Sequence, residues 1–538
     1  MRRSPLRKML KPVFKLPLIR GWNGGGAAAA DYDAVIVGSG GGGMAAGARL
    51  SLAGRRVLVI ERNDKTGGYM TNFRKGDYFF EVSMHSLDGF NEGWFNREMF
   101  RKLGILHRVK PIRMDPMYRA VYPDEILDVP AGVDQYIALL KDKFPHEREG
   151  IDRFFKALDK IEIATRCAMH FSSREYAVGL FRTAMNVRAL ATFARYWKST
   201  LTEMLDEYVQ DPGLIAMITQ LTGLLSDAPE KISGLVFAAA LNQYHKGGYY
   251  YFEGDGEGGG SRAVIRALES VIKENGGEIL LNTPVTRILV EDGEARAVET
   301  EDGRQFSCRY VISNANAPDT IHRLVGRAHF PKRYLSKLDR MVPGLSCFVV
   351  YLGVDRDYRS LFPKGSHVIL QNAGWDTLES YRYIREGDVE RMPFAFLNFS
   401  CVDKVAPEGK NVLNITTVMP YDWNNGWHYD EKDKYEALKT ETAMKLVKRA
   451  EKIVPGLSEH IEVMEVMTPK SLEAYSLNPR GAILGWDNTV EQSMMKRLPQ
   501  ETAVDNLYLA GAWTFPAGGQ SSVLISGLVA AEKILARM

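Results

Sequence analysis

The chain has 538 residues, 45% of them hydrophobic and 25% charged, the profile of a globular protein with room for two or three domains. Its net charge of +3 is concentrated at the start: residues 1–20 hold seven basic groups and no acid, and the remainder is four negative. This distribution leaves no basic excess for a folded nucleic-acid-binding face, and no apolar run reaches the length of a transmembrane helix.

In chain order, the first feature is a basic leader at 1–30. Pro5, Pro12 and Pro17 oppose a long helix there, and Lys15 breaks the one apolar stretch, so a secretory signal is poorly formed. The alanine run before Asp31 does resemble a small-residue cleavage site. Basic residues mixed with Leu, Ile, Phe and Trp22 suit an anionic membrane surface; a disordered leader without a role is the other reading. The four cysteines, Cys167, Cys308, Cys347 and Cys401, form no paired or zinc-like spacing. A reduced, cytoplasmic setting without a metal is therefore expected.

A nucleotide-binding unit follows. Residues 34–37 read as a buried parallel strand. Gly38, Gly40 and Gly43 give G-x-G-x-x-G, which serves a tight turn, a close backbone approach to a pyrophosphate and a close helix–strand contact. A helix over 44–53, beginning at Met44, aims its N-terminus at the phosphates. Residues 57–60 form the next strand. Glu61 ends it, 23 residues after Gly38, where a carboxylate accepts the hydroxyls of an adenosine ribose. Strand, turn, helix, strand and acid in that order predict a dinucleotide site.

The section from about 95 to 248 predicts helices at 132–144, 150–169 and 187–208. Residues 174–198 are basic and aromatic, which suits either a helix lying on a membrane or a solvated helix with a core stripe. A second glycine cluster at 254–260 repeats the motif, but Asn282 and Thr283 follow its strand (278–281) instead of an acid. We therefore read it as a sheet-packing turn and expect no separate nicotinamide site. Short strands are expected at 285–290, 297–300 and 307–312. Further strands are expected at 346–352, 394–398 and 411–419, with a charged helix at 432–453. The end returns to a buried strand (506–511), a turn (514–519) and a helix (521–538).

These residues resemble a known family. Glu61 to Gly68 resembles the E-x5-G-G extension of two-domain FAD oxidoreductases. NLYLAGAWTFPAGGQSSVLISGLVAAEKI resembles the C-terminal flavin motif of phytoene desaturases, carotenoid isomerases and retinol saturases, and the central GGG and NGGEILLNTPVTRILVEDG segments resemble the same group. One departure falls at residues 78–85, where the family's F-D-x-G is replaced by Phe80-Glu81-Val82-Ser83. The resemblance implies an α/β fold: a discontinuous Rossmann-like FAD domain (31–95, 249–329, 466–538) interleaved with an α+β substrate domain (96–248, 330–465).

It also implies roles. Gly38, Ser39, Gly40, Gly43 and Met44 would hold the FAD pyrophosphate. Glu61 would take the ribose, with Arg62 and Val285 at the adenine. Gly67, Gly68, Tyr69 and Met70 would pass near the ribityl chain and ring. Gly511 would contact the pyrophosphate, and Gly519, Gln520, Ser521, Ser522 and Val523 would set a positive helix end at the flavin, favouring hydride uptake. His85 is the candidate acid/base, and Tyr475 and Trp486 are candidate pocket walls. The implied activity is a desaturase or saturase acting on C–C bonds of a long apolar lipid, with hydride moving to or from the flavin. The expected partners are a membrane surface and oxygen or a quinone as electron acceptor. The alternatives are a redox-neutral carotenoid isomerase, an amine oxidase and a non-catalytic prenyl-binding protein like the Rab GDP-dissociation inhibitors.

Overall fold

The structure, a computed structural model, describes residues 30–82, 86–168, 186–225 and 227–538. Two seven-stranded sheets organise it. The first has a parallel core in the order Glu278–Leu280, Val57–Ile60, Tyr32–Val37, Gln305–Ser313, Leu507–Leu509. Its strands come from three distant parts of the chain. The strand side chains alternate between two apolar layers, which explains their unbroken apolar sequence. Ala34 and Ile36 pack under the helices Gly41–Leu52, Gly260–Glu274 and Gln520–Leu535. Val35 and Val37 pack with Ile288, Val298 and Ile321 on the other face. The strands Val285–Glu291 and Glu294–Thr300 extend this sheet as an antiparallel meander.

The second sheet runs in the order Ile461–Met467, Ser346–Val354, Asn411–Met419, Phe394–Asn398, Val368–Gln371, Tyr118–Val121, Ile126–Val129. Its pairs are antiparallel except Val368–Gln371 with Tyr118–Val121, which is parallel. One face is covered by the helices Thr377–Glu386 and Lys432–Ala450 through Phe348, Ile369, Phe396 and Ile415. The opposite face meets a helical layer that includes Val133–Lys143, Arg148–Ala168, Pro212–Thr219 and Gly234–His245.

Most expected elements form with shifted ends. The glycine helix begins at Gly41 rather than Met44, because Gly40 takes the extended N-cap conformation (φ −61°, ψ 169°). The helix expected over 187–208 does not run through. It is Val187–Arg195, a 3-10 turn Tyr196–Lys198, then Leu201–Leu205. Thr200 forms a capping box with Glu203: its hydroxyl accepts from the Glu203 amide (3.2 Å), and the Glu203 carboxylate accepts from the Thr200 amide (2.9 Å). A new helix start therefore competes with continuation of the old one. In the described part of the 174–198 segment, Ala189 and Phe193 are buried. The basic leader, except Ala30, lies outside the described residues. Among those residues, no helix is long and apolar enough to cross a membrane.

Candidate functional site

The first sheet's central strand stops at Gly38, whose φ of +91° lets its amide turn back to the Ile60 carbonyl (2.8 Å). A Cβ at Gly43 would stand 2.2 Å from the Gly38 carbonyl oxygen, so glycine is what lets the helix close onto this turn. No side chain caps that helix, and its first turn has no acid, so amides and dipole face outward toward an anion. Asn314, following the neighbouring parallel strand, accepts from the Gly43 amide (3.0 Å) and holds the helix start against that strand. Glu61 is buried and oriented on both oxygens. Oε2 accepts from the Ser39 amide (2.9 Å) and hydroxyl (2.6 Å), and Oε1 accepts from the Asn63 amide (2.9 Å). An ionised carboxylate has about four acceptor positions, so capacity remains for ribose hydroxyls.

The Gly67–Gly68 turn is pinned from below. The buried Arg262 guanidinium donates to the Thr66 carbonyl (3.0 Å) and hydroxyl (2.9 Å) and pairs with Glu269 (3.1 Å). The Gly67 amide donates to the Ser39 carbonyl (3.0 Å), which ties this turn to the first. Tyr69 follows, its hydroxyl 2.9 Å from that of Ser476; burial pushes its phenol up to about 12.

The C-terminal segment closes the third side. After Leu507–Leu509, the Gly511 amide donates to the Ser526 hydroxyl (3.1 Å). The helix Gln520–Leu535 then starts without a side-chain cap or an acid in its first turn. Its Ser521 hydroxyl donates to Asp88, and Asn96 Nδ2 donates to both Asp88 Oδ1 (3.2 Å) and Ser521 Oγ (2.9 Å). Burial raises the Asp88 carboxyl above the usual range, against the opposing effect of these hydrogen bonds.

One cavity of about 1110 Å³ joins these parts. Gly38, Gly40, Glu61, Arg62, Gly67, Gly68, Tyr69, Met70, Val285, Gly511 and the Gly519, Gln520, Ser521, Ser522 and Val523 helix start all line it. Ser39, Gly43 and Met44 do not: Ser39 sits beneath Glu61, while Gly43 and Met44 pack the helix onto the sheet. Tyr475 lines the cavity beside Glu61, with the Glu61 and Asp64 carboxylates adding to burial in raising its phenol. Arg62 donates to the Ala474 carbonyl (3.0 Å) and to that of Tyr475. Trp486 is a correction. It is buried behind Trp513, donates to the Trp513 carbonyl (2.9 Å), and does not face the cavity. His85 lies outside the described residues.

The cavity continues onto the second sheet. Cys347, which interacts with Tyr69, begins that side. A row in register, Val349–Thr416–Ala395–Leu370, crosses four strands along its floor. Asp88, Asn96 and Asn314 were not picked out from the sequence. Each meets its partners only through folding, and the local signals available were Asp88 three positions after His85 and Asn314 at the end of an expected strand.

Comparison with known proteins agrees with this geometry. The family model described as flavin-containing amine oxidoreductase matches residues 42–535. A prolycopene isomerase 1 (chloroplastic) from an Oncidium hybrid cultivar is 28% identical over 518 residues, covering 94% of this chain and 84% of that protein. An all-trans-retinol 13,14-reductase from Danio rerio is 27% identical over 514 residues, covering 89% and 82%. The crystal structure of an oxidoreductase from Methanosarcina mazei superposes with a TM-score of 0.59 at 19% identity, over 94% of this chain and all of that one. The fold is a two-domain FAD oxidoreductase fold, and the uncapped helix starts, the oriented Glu61 and the tight glycine contact suit FAD as the dinucleotide. The chain belongs to the flavin-containing amine oxidoreductase family.

Proposed function

We propose that the protein forms or reduces C–C double bonds in a long apolar lipid such as a carotenoid, a retinoid or a fatty acyl chain. The observation that supports this reading is the single cavity that leaves the dinucleotide cradle and runs over the Val349–Thr416–Ala395–Leu370 floor. An extended hydrocarbon fits such a floor; a small amine gains little from it. The names of the two relatives, a prolycopene isomerase and an all-trans-retinol 13,14-reductase, point toward polyenes.

Bound FAD supplies hydride acceptance or donation. Glu61 takes the ribose, and the Gly41–Leu52 helix start faces the pyrophosphate. Gly67 to Met70 and the Gln520–Leu535 helix start would bracket the flavin end. At that end Asp88, its carboxyl raised by burial and hydrogen-bonded to Ser521 and Asn96, is a candidate for proton transfer beside the reacting region. His85, on the resemblance alone, is the other candidate for proton transfer. The substrate is drawn from a membrane surface by peripheral association on the cytoplasmic side, and oxygen or a membrane quinone takes the electrons.

The test compares lipids from cells with and without the protein by mass spectrometry, together with anaerobic incubation of the purified holoprotein. A change of two hydrogens in a lipid is the expected result. A change in geometry at constant mass would replace redox chemistry by isomerisation, and hydrogen peroxide formed from amines would replace the lipid by an amine. Protein purified without flavin absorption would remove the enzyme reading altogether.

A further inference from the structure

The far end of the cavity holds buried polar atoms that the protein leaves without partners. Among the described residues, Tyr122 Oη and Gln220 Nε2 are buried and accept or donate no hydrogen bond, and the buried Tyr381 Oη meets only the Thr222 side chain. All three residues line the cavity. Such atoms cost free energy unless a ligand or water meets them. They come from separate elements that other contacts bring together. Tyr122 follows the Tyr118–Val121 strand, its ring stacked on Trp375 with centroids 3.7 Å apart. The Thr219 and Thr377 hydroxyls lie 2.7 Å apart, which sets Gln220 alongside the helix that carries Tyr381 one turn after Thr377. The Tyr381 hydroxyl faces Thr222.

This polar end is remote from the flavin end. Cys347, beside Tyr69, lies on the Ser346–Val354 strand, and Tyr122 directly follows a strand four places across the same sheet. At about 4.8 Å per strand the two ends are ~19 Å apart. Among the described residues, the charged ones that line the cavity are Glu61, Arg62, Asp88, Glu301, Asp319 and Arg323. All belong to the cofactor side. Lys143, near Trp375, is paired with Glu125, and Arg385, near Tyr381, is paired with Asp227 and Glu230; neither is among the lining residues. Among the described residues, a carboxylate at the polar end would therefore be buried without an unpaired counter-charge.

We propose that the substrate is a long apolar chain carrying a neutral oxygen function, an alcohol or a carbonyl, at the end that meets Tyr122, Gln220 and Tyr381, about 19 Å from the reacting bond. This rests on the lipid reading above and adds to it where the substrate's far end lies and what that end bears.

The test uses the holoprotein in detergent micelles and three polyenes of one skeleton: a hydrocarbon carotenoid, its monohydroxylated counterpart and a carboxylate-ended counterpart. Binding is read from the shift of the polyene absorption band. The hydroxylated form should bind about tenfold more tightly than the hydrocarbon, and the carboxylate no better than the hydrocarbon. Tyr122→Phe and Gln220→Leu should each reduce the hydroxyl preference, and together bring it close to one, with hydrocarbon affinity and melting temperature not lowered. Should the pair disturb folding, Tyr122→Phe alone, which removes one oxygen, decides. Equal binding of alcohol and hydrocarbon to the unaltered protein, as expected were water alone to satisfy these atoms, overturns the proposal. So does a preference for the carboxylate, or a hydroxyl preference that survives both substitutions. Failure of all three polyenes to bind would instead remove the lipid reading itself, and this inference with it.

Discussion

Glu61 is held in place by the protein itself, through the Ser39 amide and hydroxyl and the Asn63 amide. On the proposed reading, the carboxylate would therefore meet a ribose without first losing side-chain freedom, through charge-assisted hydrogen bonds. Glu61→Ala removes the ribose acceptor and strands the buried Ser39 hydroxyl. FAD affinity should fall about ten- to a hundredfold, measured by titrating apoprotein with FAD and following flavin fluorescence; an unchanged affinity would take Glu61 out of the site. This residue was legible because its signal is local, a strand ending in an acid at a set distance from a glycine turn. Asn314 was not, since it supports Gly43 from 271 positions away. Asp88 was missed for the same reason: its partner Ser521 is 433 positions distant, and no local pattern singles out Asp88 itself. Trp486 shows the reverse error. Its segment resembled one near a flavin, but proximity in sequence gave no information on which way the indole points, and it points into the core against Trp513.

Among the elements, the glycine helix and the C-terminal helix make the closest contact at the site. A Cβ at Gly527 would lie 1.9 Å from the Gly42 carbonyl oxygen, so the two backbones touch where the uncapped start of the glycine helix crosses the C-terminal helix two turns in. Gly527→Val should cost about 2–3 kcal/mol of stability, seen in thermal melting, and should weaken FAD binding with it because the Gly41–Leu52 start is displaced. Retention of full FAD affinity by a folded variant would separate this contact from the site. On the second sheet, Ala395 sits between Thr416 and Leu370 in the floor row. Ala395→Phe should leave FAD content and melting temperature near the original values and cut turnover of a long lipid at least about tenfold. Equal turnover would place the chain elsewhere. The central strands of this sheet were readable because Phe394–Asn398 and Asn411–Met419 are buried and mostly apolar. The edge strand Ile126–Val129 and its neighbour Tyr118–Val121 were not. Each has only four residues, and charged Arg119 and Asp128 sit half-exposed or paired across the edge, so packing and not periodicity decides that they pair. The break at Thr200 had a legible signal, Thr200 followed three residues later by Glu203, and it outweighs the apolar periodicity that suggested one long helix.

At the scale of the molecule, the helical layer and the C-terminal segment meet at a pair of buried carboxyls, Asp227 and Asp487. Around them the Ser233 amide donates to the Asn488 carbonyl (2.9 Å), Asn488 Nδ2 donates to the Leu225 carbonyl (3.1 Å), and the buried Arg497 donates to Asn488 Oδ1 (2.9 Å). Lys231 (3.3 Å) and Arg385 (3.6 Å) face Asp227, and Arg385 is shared with Glu230 (2.9 Å). Burial first, and the Asp227 carboxylate second, push Asp487 up to about 7. In the unfolded chain an aspartate ionises near pH 3.9. A folded value above the unfolded one means that the native state binds the proton more tightly. Its contribution to stability is complete below about pH 4 and declines as pH rises through about 7. Asp487→Asn removes this dependence while keeping a polar side chain of similar shape. The difference in stability, variant minus unaltered protein, should grow in the variant's favour between pH 5 and pH 8 by on the order of 2–4 kcal/mol, measured by denaturant melts at each pH. Taking the difference cancels the many surface carboxylates that titrate alike in both proteins. A difference independent of pH would mean that Asp487 ionises at its ordinary value and that Arg497, rather than a shared proton, neutralises the pair. Because this junction ties the helical wall of the cavity to the segment that ends in the Gln520–Leu535 helix, the same titration should also loosen the cavity, and the holoprotein should release FAD more readily at pH 8 than at pH 6, with the Asn variant showing no such change.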